Sequence, residues 1–162
     1  MNREVPHLLV LPEDHANAQL VNGFILHPIV DHRRIKVMKE AGGWREVIHQ
    51  FETIFIRDLQ MYPDAFLVLL FDLDEKENRL EETFKKIPSE LKDRVFVLGA
   101  WNEPEDLKKE FRISSFEKIG EALAGDCQGE MASRWDHKVL KHNSDEVKRL
   151  HQIVTKFLFR RV

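Results

Sequence analysis

The sequence has a single cysteine, Cys127, so no internal disulfide framework holds it together, and that usage fits a reducing compartment. With 7 glycines and 6 prolines among 162 residues it is neither low-complexity nor collagen-like. Long hydrophobic runs are absent as well. The best, Ala65 to Phe71, stops at an aspartate, well short of the roughly 18 to 20 apolar residues that span a bilayer. The start, MNREVPHLLVLPEDH, has a short apolar stretch broken by Pro12 and carboxylates, which makes a poor secretory signal. Nor is there an excess of one charge: 25 Lys+Arg against 28 Asp+Glu give a net −3, which argues against gripping nucleic acid by bulk electrostatics. What is present, 43% hydrophobic and 33% charged residues, is the composition of a folded domain. The expectation is one domain over residues 1–162, cytoplasmic and outside any membrane.

Hydrophobic patterning divides the chain in two. Leu8–Leu9–Val10–Leu11, stopped by Pro12, reads as a buried strand. Asp14 is placed to cap a helix over Ala16 to Phe24. A second strand is predicted at Arg34 to Met38, where Ile35 and Val37 alternate with basic residues. After Gly42–Gly43, the residues Trp44, Val47, Ile48, Phe51, Ile54 and Phe55 recur at helical spacing and predict one apolar face, ended by Tyr62–Pro63–Asp64. Ala65 to Phe71 has no polar alternation, as expected of a strand covered on both faces. A charged helix with Leu80, Phe84 and Ile87 inward follows, then a strand at Arg94 to Leu98. Strand and helix alternating in this way predict an α/β fold with a mostly parallel sheet of about four strands covered by helices.

From Asn102 onward only helices are expected, so the α/β core covers about residues 6–100 and a helical region about 103–162. Pro104 with its flanking acids starts one helix, Ser115 caps Phe116 to Leu123, and residues 126–133 read as a loop. Asn143 and Glu146 resemble a capping box for a final helix. Its stripe Val147, Leu150, Ile153, Val154, Phe157 and Leu158 either packs on the domain or offers a partner surface, including one for a second copy.

In open α/β sheets, ligands bind beyond the carboxyl ends of the strands. Two apolar strands here end in acids: Glu13 after the first, and Asp72 with Asp74 after the central one. If the chain stays extended through both aspartates, their side chains point the same way. Carboxylates converging on one rim are what Mg²⁺ or Mn²⁺ takes as ligands, with waters and phosphates completing the shell. Acids at strand ends also cap helices, and that alternative stands beside the metal reading.

A strand ending in one glutamate, then a helix, an intervening βα unit, and a strand ending in D-x-D together resemble the toprim domain. The matching residues are Glu13 in LLVLPEDH and Asp72 and Asp74 in LVLLFDLDEK, over roughly Pro6 to Ala100, most like the small stand-alone toprim-like and OLD-nuclease-type proteins. The resemblance implies a Rossmann-like toprim fold, with Glu13 in acid/base work or metal binding at a phosphodiester and Asp72 and Asp74 as Mg²⁺ ligands. It also shows departures. Asp14 stands where glycine is common, and Asn17 where nuclease-type relatives carry another acid. Tyr62, the only tyrosine, lies in a turn context and supplies no topoisomerase nucleophile.

Accessory candidates for the rim are Asn17 and Glu103, although Glu103 beside Pro104 equally starts a helix. His15 is the one histidine expected near the site; pairs such as His27/His32 have the wrong spacing for a zinc ligand pair on a helix. Basic pairs, Arg33–Arg34 to Arg160–Arg161, are interleaved with acids and read as solvated surface. The functional expectation is a Mg²⁺-dependent, nuclease-type phosphodiester-processing protein acting on nucleic acid with a larger protein partner. The alternative is a non-catalytic interaction module on a toprim-like or receiver-like fold.

Overall fold

A computed structural model describes residues 1–128 and 134–160. The predicted loop at 126–133 therefore falls partly outside the described residues, as does Arg161 of the last basic pair.

Four strands form one all-parallel sheet: β1 (His7–Pro12), β2 (Ile35–Val37), β3 (Ala65–Leu70) and β4 (Val95–Leu98), in the order β2-β1-β3-β4. The fold is α/β and Rossmann-like, as expected from the alternation of elements. In β3 the two faces are used in turn. Leu67 and Leu69 join a core with Val47, Phe51, Phe55 and Leu59, while Val68 joins another with Val21, Ala124, Val154 and Leu158. A strand buried on both sides carries no polar residue, which is the reason for the run AFLVLL.

Helix α1 (His15–Leu26) starts where predicted, with the Asp14 side chain accepting the Asn17 N–H. On the opposite face of the sheet, α2 (Trp44–Gln50) runs through a π-helical segment (Phe51–Phe55) into α3 (Ile56–Met61). Val47, Phe51, Phe55 and Leu59 are all buried, at steps of four. Such steps overshoot the 3.6 residues of an α-turn, and the wider i→i+5 turn, with the Ile56 N–H on the Phe51 carbonyl, absorbs the excess. The same widening leaves Ile54, expected on the apolar face, 49% exposed. In α4 (Asn78–Lys86) Leu80 and, just past its end, Ile87 pack on the core as expected, but Phe84 is exposed and Thr83 is buried in its place, accepting the Trp44 indole N–H.

The helical region comprises α5 (Glu105–Phe111), α6 (Phe116–Gly125) and α7 (Ser144–Val154). Ser115 caps α6 as predicted. Helices α1 and α6 meet backbone to backbone: a Cβ on Gly23 would lie 1.8 Å from the Glu117 carbonyl oxygen, and one on Gly120 1.8 Å from that of Leu20. Only glycine permits that approach.

The predicted capping box of α7 is not formed. Asn143 instead receives the Gly99 N–H and donates to the Gly99 carbonyl, and Glu146 accepts the Val97 N–H at 2.8 Å. Arg149 adds a bond to the Val95 carbonyl. One face of α7 thus takes the place of a fifth strand along the open edge of β4, satisfying groups that an exposed edge would leave free. Val147, Val154 and Leu158 of its stripe are buried within the domain rather than turned to a second copy. Among the described residues no helix is long and apolar enough to cross a membrane.

Candidate metal centre

Strands β1 and β3 are adjacent and in register, with Pro12 opposite Leu70, so the residues that follow them emerge side by side. The Glu13 N–H continues the ladder to the Leu70 carbonyl at 2.8 Å. Glu13 Oε2 then accepts the Asp72 N–H at 2.7 Å, which joins the two strand ends through a side chain. One carboxylate oxygen from each of Glu13, Asp14 and Asp72 lies within 4.8 Å of the others.

Asn17, one turn into α1, ties this cluster together. Its Nδ2 donates to Asp14 Oδ1 at 2.9 Å and to Asp72 Oδ1 at 3.2 Å, while its backbone N–H donates to the same Asp14 oxygen. The residue is 1% exposed, and its Oδ1 has no partner among the described residues.

The electrostatics are those of a site short of positive charge. Burial pushes Asp72 up to about 8; the Asn17 hydrogen bond opposes this, and the charges of Glu13, Asp14 and Asp74 add to it. Glu13 is also raised, chiefly by burial, against the lowering effect of the Asp72 N–H. Three acids at this separation repel one another when ionised, and a divalent cation inverts that balance. Clustered carboxylates, hard oxygen donors, suit Mg²⁺ or Mn²⁺, which take one or two carboxylates and keep several waters. The donor chemistry of the three acids fits such an ion.

Of the residues named from sequence, Glu13, Asp72 and Asn17 come together and Asp74 and Glu103 do not join them. Extension persists past β3, with Phe71 and Leu73 N–H groups on the Leu98 and Ala100 carbonyls. It ends at Asp74 and Glu75, whose φ values are 49° and 58°. Such left-handed conformations cost on the order of 1–3 kcal/mol each for residues with a side chain. The reversal turns Asp74 out of the alternation that would have aligned it with Asp72. Its side chain is 52% exposed and pairs with Arg79 at 2.9 Å. Glu103 is exposed ahead of α5, where its carbonyl accepts the Asp106 N–H. His15 is exposed and lies 3.7 Å from Glu40.

From sequence, Asp14 reads as a helix cap only. The structure gives it both positions, because a cap at the end of a strand beside another acidic strand end is already on the rim. Arg79 has no such mark in the sequence beyond being a basic residue five positions after Asp74, near the start of a helix.

No family model matches this chain, no curated protein matches it, and no solved structure matches it.

Proposed function

We propose that the chain is a toprim-like, divalent-cation-dependent phosphodiester-processing protein of nuclease type, acting on nucleic acid with a larger protein partner. The observation that carries this reading is the convergence of Glu13, Asp14 and Asp72 within 4.8 Å at the carboxyl ends of two adjacent parallel strands. This is the crevice in which open α/β sheets place their ligands. Glu13, Asp14 and Asp72 would hold Mg²⁺ or Mn²⁺. When bound, the cation neutralises phosphoryl charge and acidifies a coordinated water.

The chain's own residues supply the rest. Glu13 is half-buried with a raised pKa, the condition that brings a carboxyl group towards proton exchange at neutral pH. Its bond to the Asp72 N–H fixes its orientation. Asn17 aims Asp14 and Asp72 into one space, as an outer-shell partner of metal-binding carboxylates does. The nearly even charge, 25 basic against 28 acidic residues, supports a role for a partner that grips the nucleic acid.

A second reading, a non-catalytic interaction module, draws on a different observation. Glu13 and Asp74 already have protein partners, a backbone N–H and Arg79, so the rim acids also serve to pin loops. One assay separates the two: incubation with single- and double-stranded DNA and RNA in Mg²⁺ or Mn²⁺. Cleavage that is lost in Asp72→Asn, in Glu13→Gln and on chelation supports the enzyme. Cleavage that persists in Asp72→Asn, or in chelator, refutes this site as its source and leaves the module.

A further inference from the structure

We propose that Asp74 and Arg79 form a latch that positions Asp72 over Glu13 and Asp14, and that Asp74 is not itself a cation ligand. The inference rests on the metal reading above. It departs from the expectation that both acids of the D-x-D pair bind metal.

The loop after β3 contains two successive left-handed residues, Asp74 and Glu75, neither of them glycine. Something outside the loop must hold it in that shape. Arg79 does so with one planar group. Its Nη1 donates to the Asp72 carbonyl at 2.9 Å and its Nη2 to Asp74 Oδ2 at 2.9 Å, bracketing the turn from both ends. The Glu75 N–H bonds to the Trp101 carbonyl and the Lys76 N–H to that of Leu73, closing the remainder.

Arg79 is itself fixed. Its side chain is 15% exposed, and its guanidinium stacks 4.9 Å from the centre of the Trp44 ring. The Trp44 indole N–H donates to Thr83 Oγ1, and that hydroxyl donates to the Arg79 carbonyl at 2.6 Å. Helices α2 and α4 therefore set the rotamer of Arg79, Arg79 sets the turn, and the turn sets the Asp72 backbone. That backbone in turn donates to Glu13. A lysine cannot reproduce the arrangement, since a single ammonium lacks the fork that reaches both oxygens and stacks on an aromatic face.

Asn17, 1% exposed, donates to both Asp14 and Asp72 and so holds the carboxylate of Asp72 on the side of Asp14. Asp74 lies outside the group whose oxygens approach within 4.8 Å among the described residues.

The test compares wild type with Asp72→Asn, Asp74→Asn, Arg79→Lys and the Asp74→Asn/Arg79→Lys double variant, by calorimetric titration with Mn²⁺ and by urea unfolding without metal. Loss of the latch is expected to weaken Mn²⁺ binding about 10-fold, or ~1.4 kcal/mol, in either single variant. The double variant should be no weaker than the worse single, and Asp72→Asn should abolish binding. Loss of all binding in Asp74→Asn with none in Arg79→Lys would make Asp74 a ligand and overturn the proposal. So would effects that multiply in the double variant. The unfolding arm stands apart from the metal reading. If wild type binds no Mn²⁺, that reading fails, and the latch is then judged by whether the two substitutions are non-additive in stability. Additive losses refute it.

Discussion

Asp72→Asn is expected to stabilise the metal-free protein at neutral and alkaline pH, although it alters a residue of the proposed site. Burial and neighbouring acids raise Asp72 from 3.8 to about 8. Between those values the folded state holds a proton that the unfolded chain has released. The stabilising effect of that raised pKa is complete below the unfolded value and is lost as pH rises through the folded one. Each pH unit within that window corresponds to about 1.36 kcal/mol, so the ceiling at pH 7 is roughly 4 kcal/mol. Solvent reaching the rim reduces this to the order of 2 kcal/mol. Asparagine removes the titration while keeping an oxygen for the Asn17 amide donor. Urea unfolding in chelator at pH 5 and pH 8.5 reads the effect. The variant's advantage should be small at the lower pH and grow towards the higher. Mg²⁺ at pH 8.5 should stabilise wild type and narrow the gap. A gap independent of pH, or wild type the more stable at both, refutes this account of the site's electrostatics.

Other substitutions test the framework. Gly120→Ala places a methyl 1.8 Å from the Leu20 carbonyl oxygen and must push α1 from α6; thermal unfolding should show a loss of several degrees, and an unchanged midpoint contradicts the close packing. Asn143→Ala frees the N–H of Gly99 at the edge of β4, while the Gly99 carbonyl keeps His142 Nε2, and is expected to cost about 1–3 kcal/mol in urea unfolding, with hydrogen exchange quickened at Gly99 first. Glu146→Gln, which can still accept from Val97, should cost less than Glu146→Ala, and equal losses would deny the edge-covering role.

Much of the scaffold is legible in the sequence because burial on two faces leaves a plain mark: HLLVLP and AFLVLL have no other way to be soluble within a folded chain. Asp14 and Ser115 are legible as caps because capping is local. What is not legible depends on partners distant in sequence. Periodicity assigns Phe84 to the core, but Trp44, 39 residues away from Thr83, claims that threonine instead. Asn143 and Glu146 have the spacing of a capping box, yet the unpaired edge of β4 makes the stronger demand on both. At the site, Glu13 and Asp72 can be read from strand ends. Asp74 cannot, since alternation holds only while the backbone stays extended, and two left-handed residues end it. Asp14 is hidden by having a sufficient local role already.

The central claim is that Glu13, Asp14 and Asp72 together hold a divalent cation. Titrating Mn²⁺ into the protein while recording its amide NMR spectrum tests this most directly, because the paramagnetic ion broadens signals according to their nearness. Glu13, Asp14, Asn17 and Asp72 are predicted to broaden first, at substoichiometric metal, and Asp72→Asn to abolish the effect. Broadening spread over exposed acids such as Glu81 and Glu82, or identical in wild type and Asp72→Asn, would contradict it.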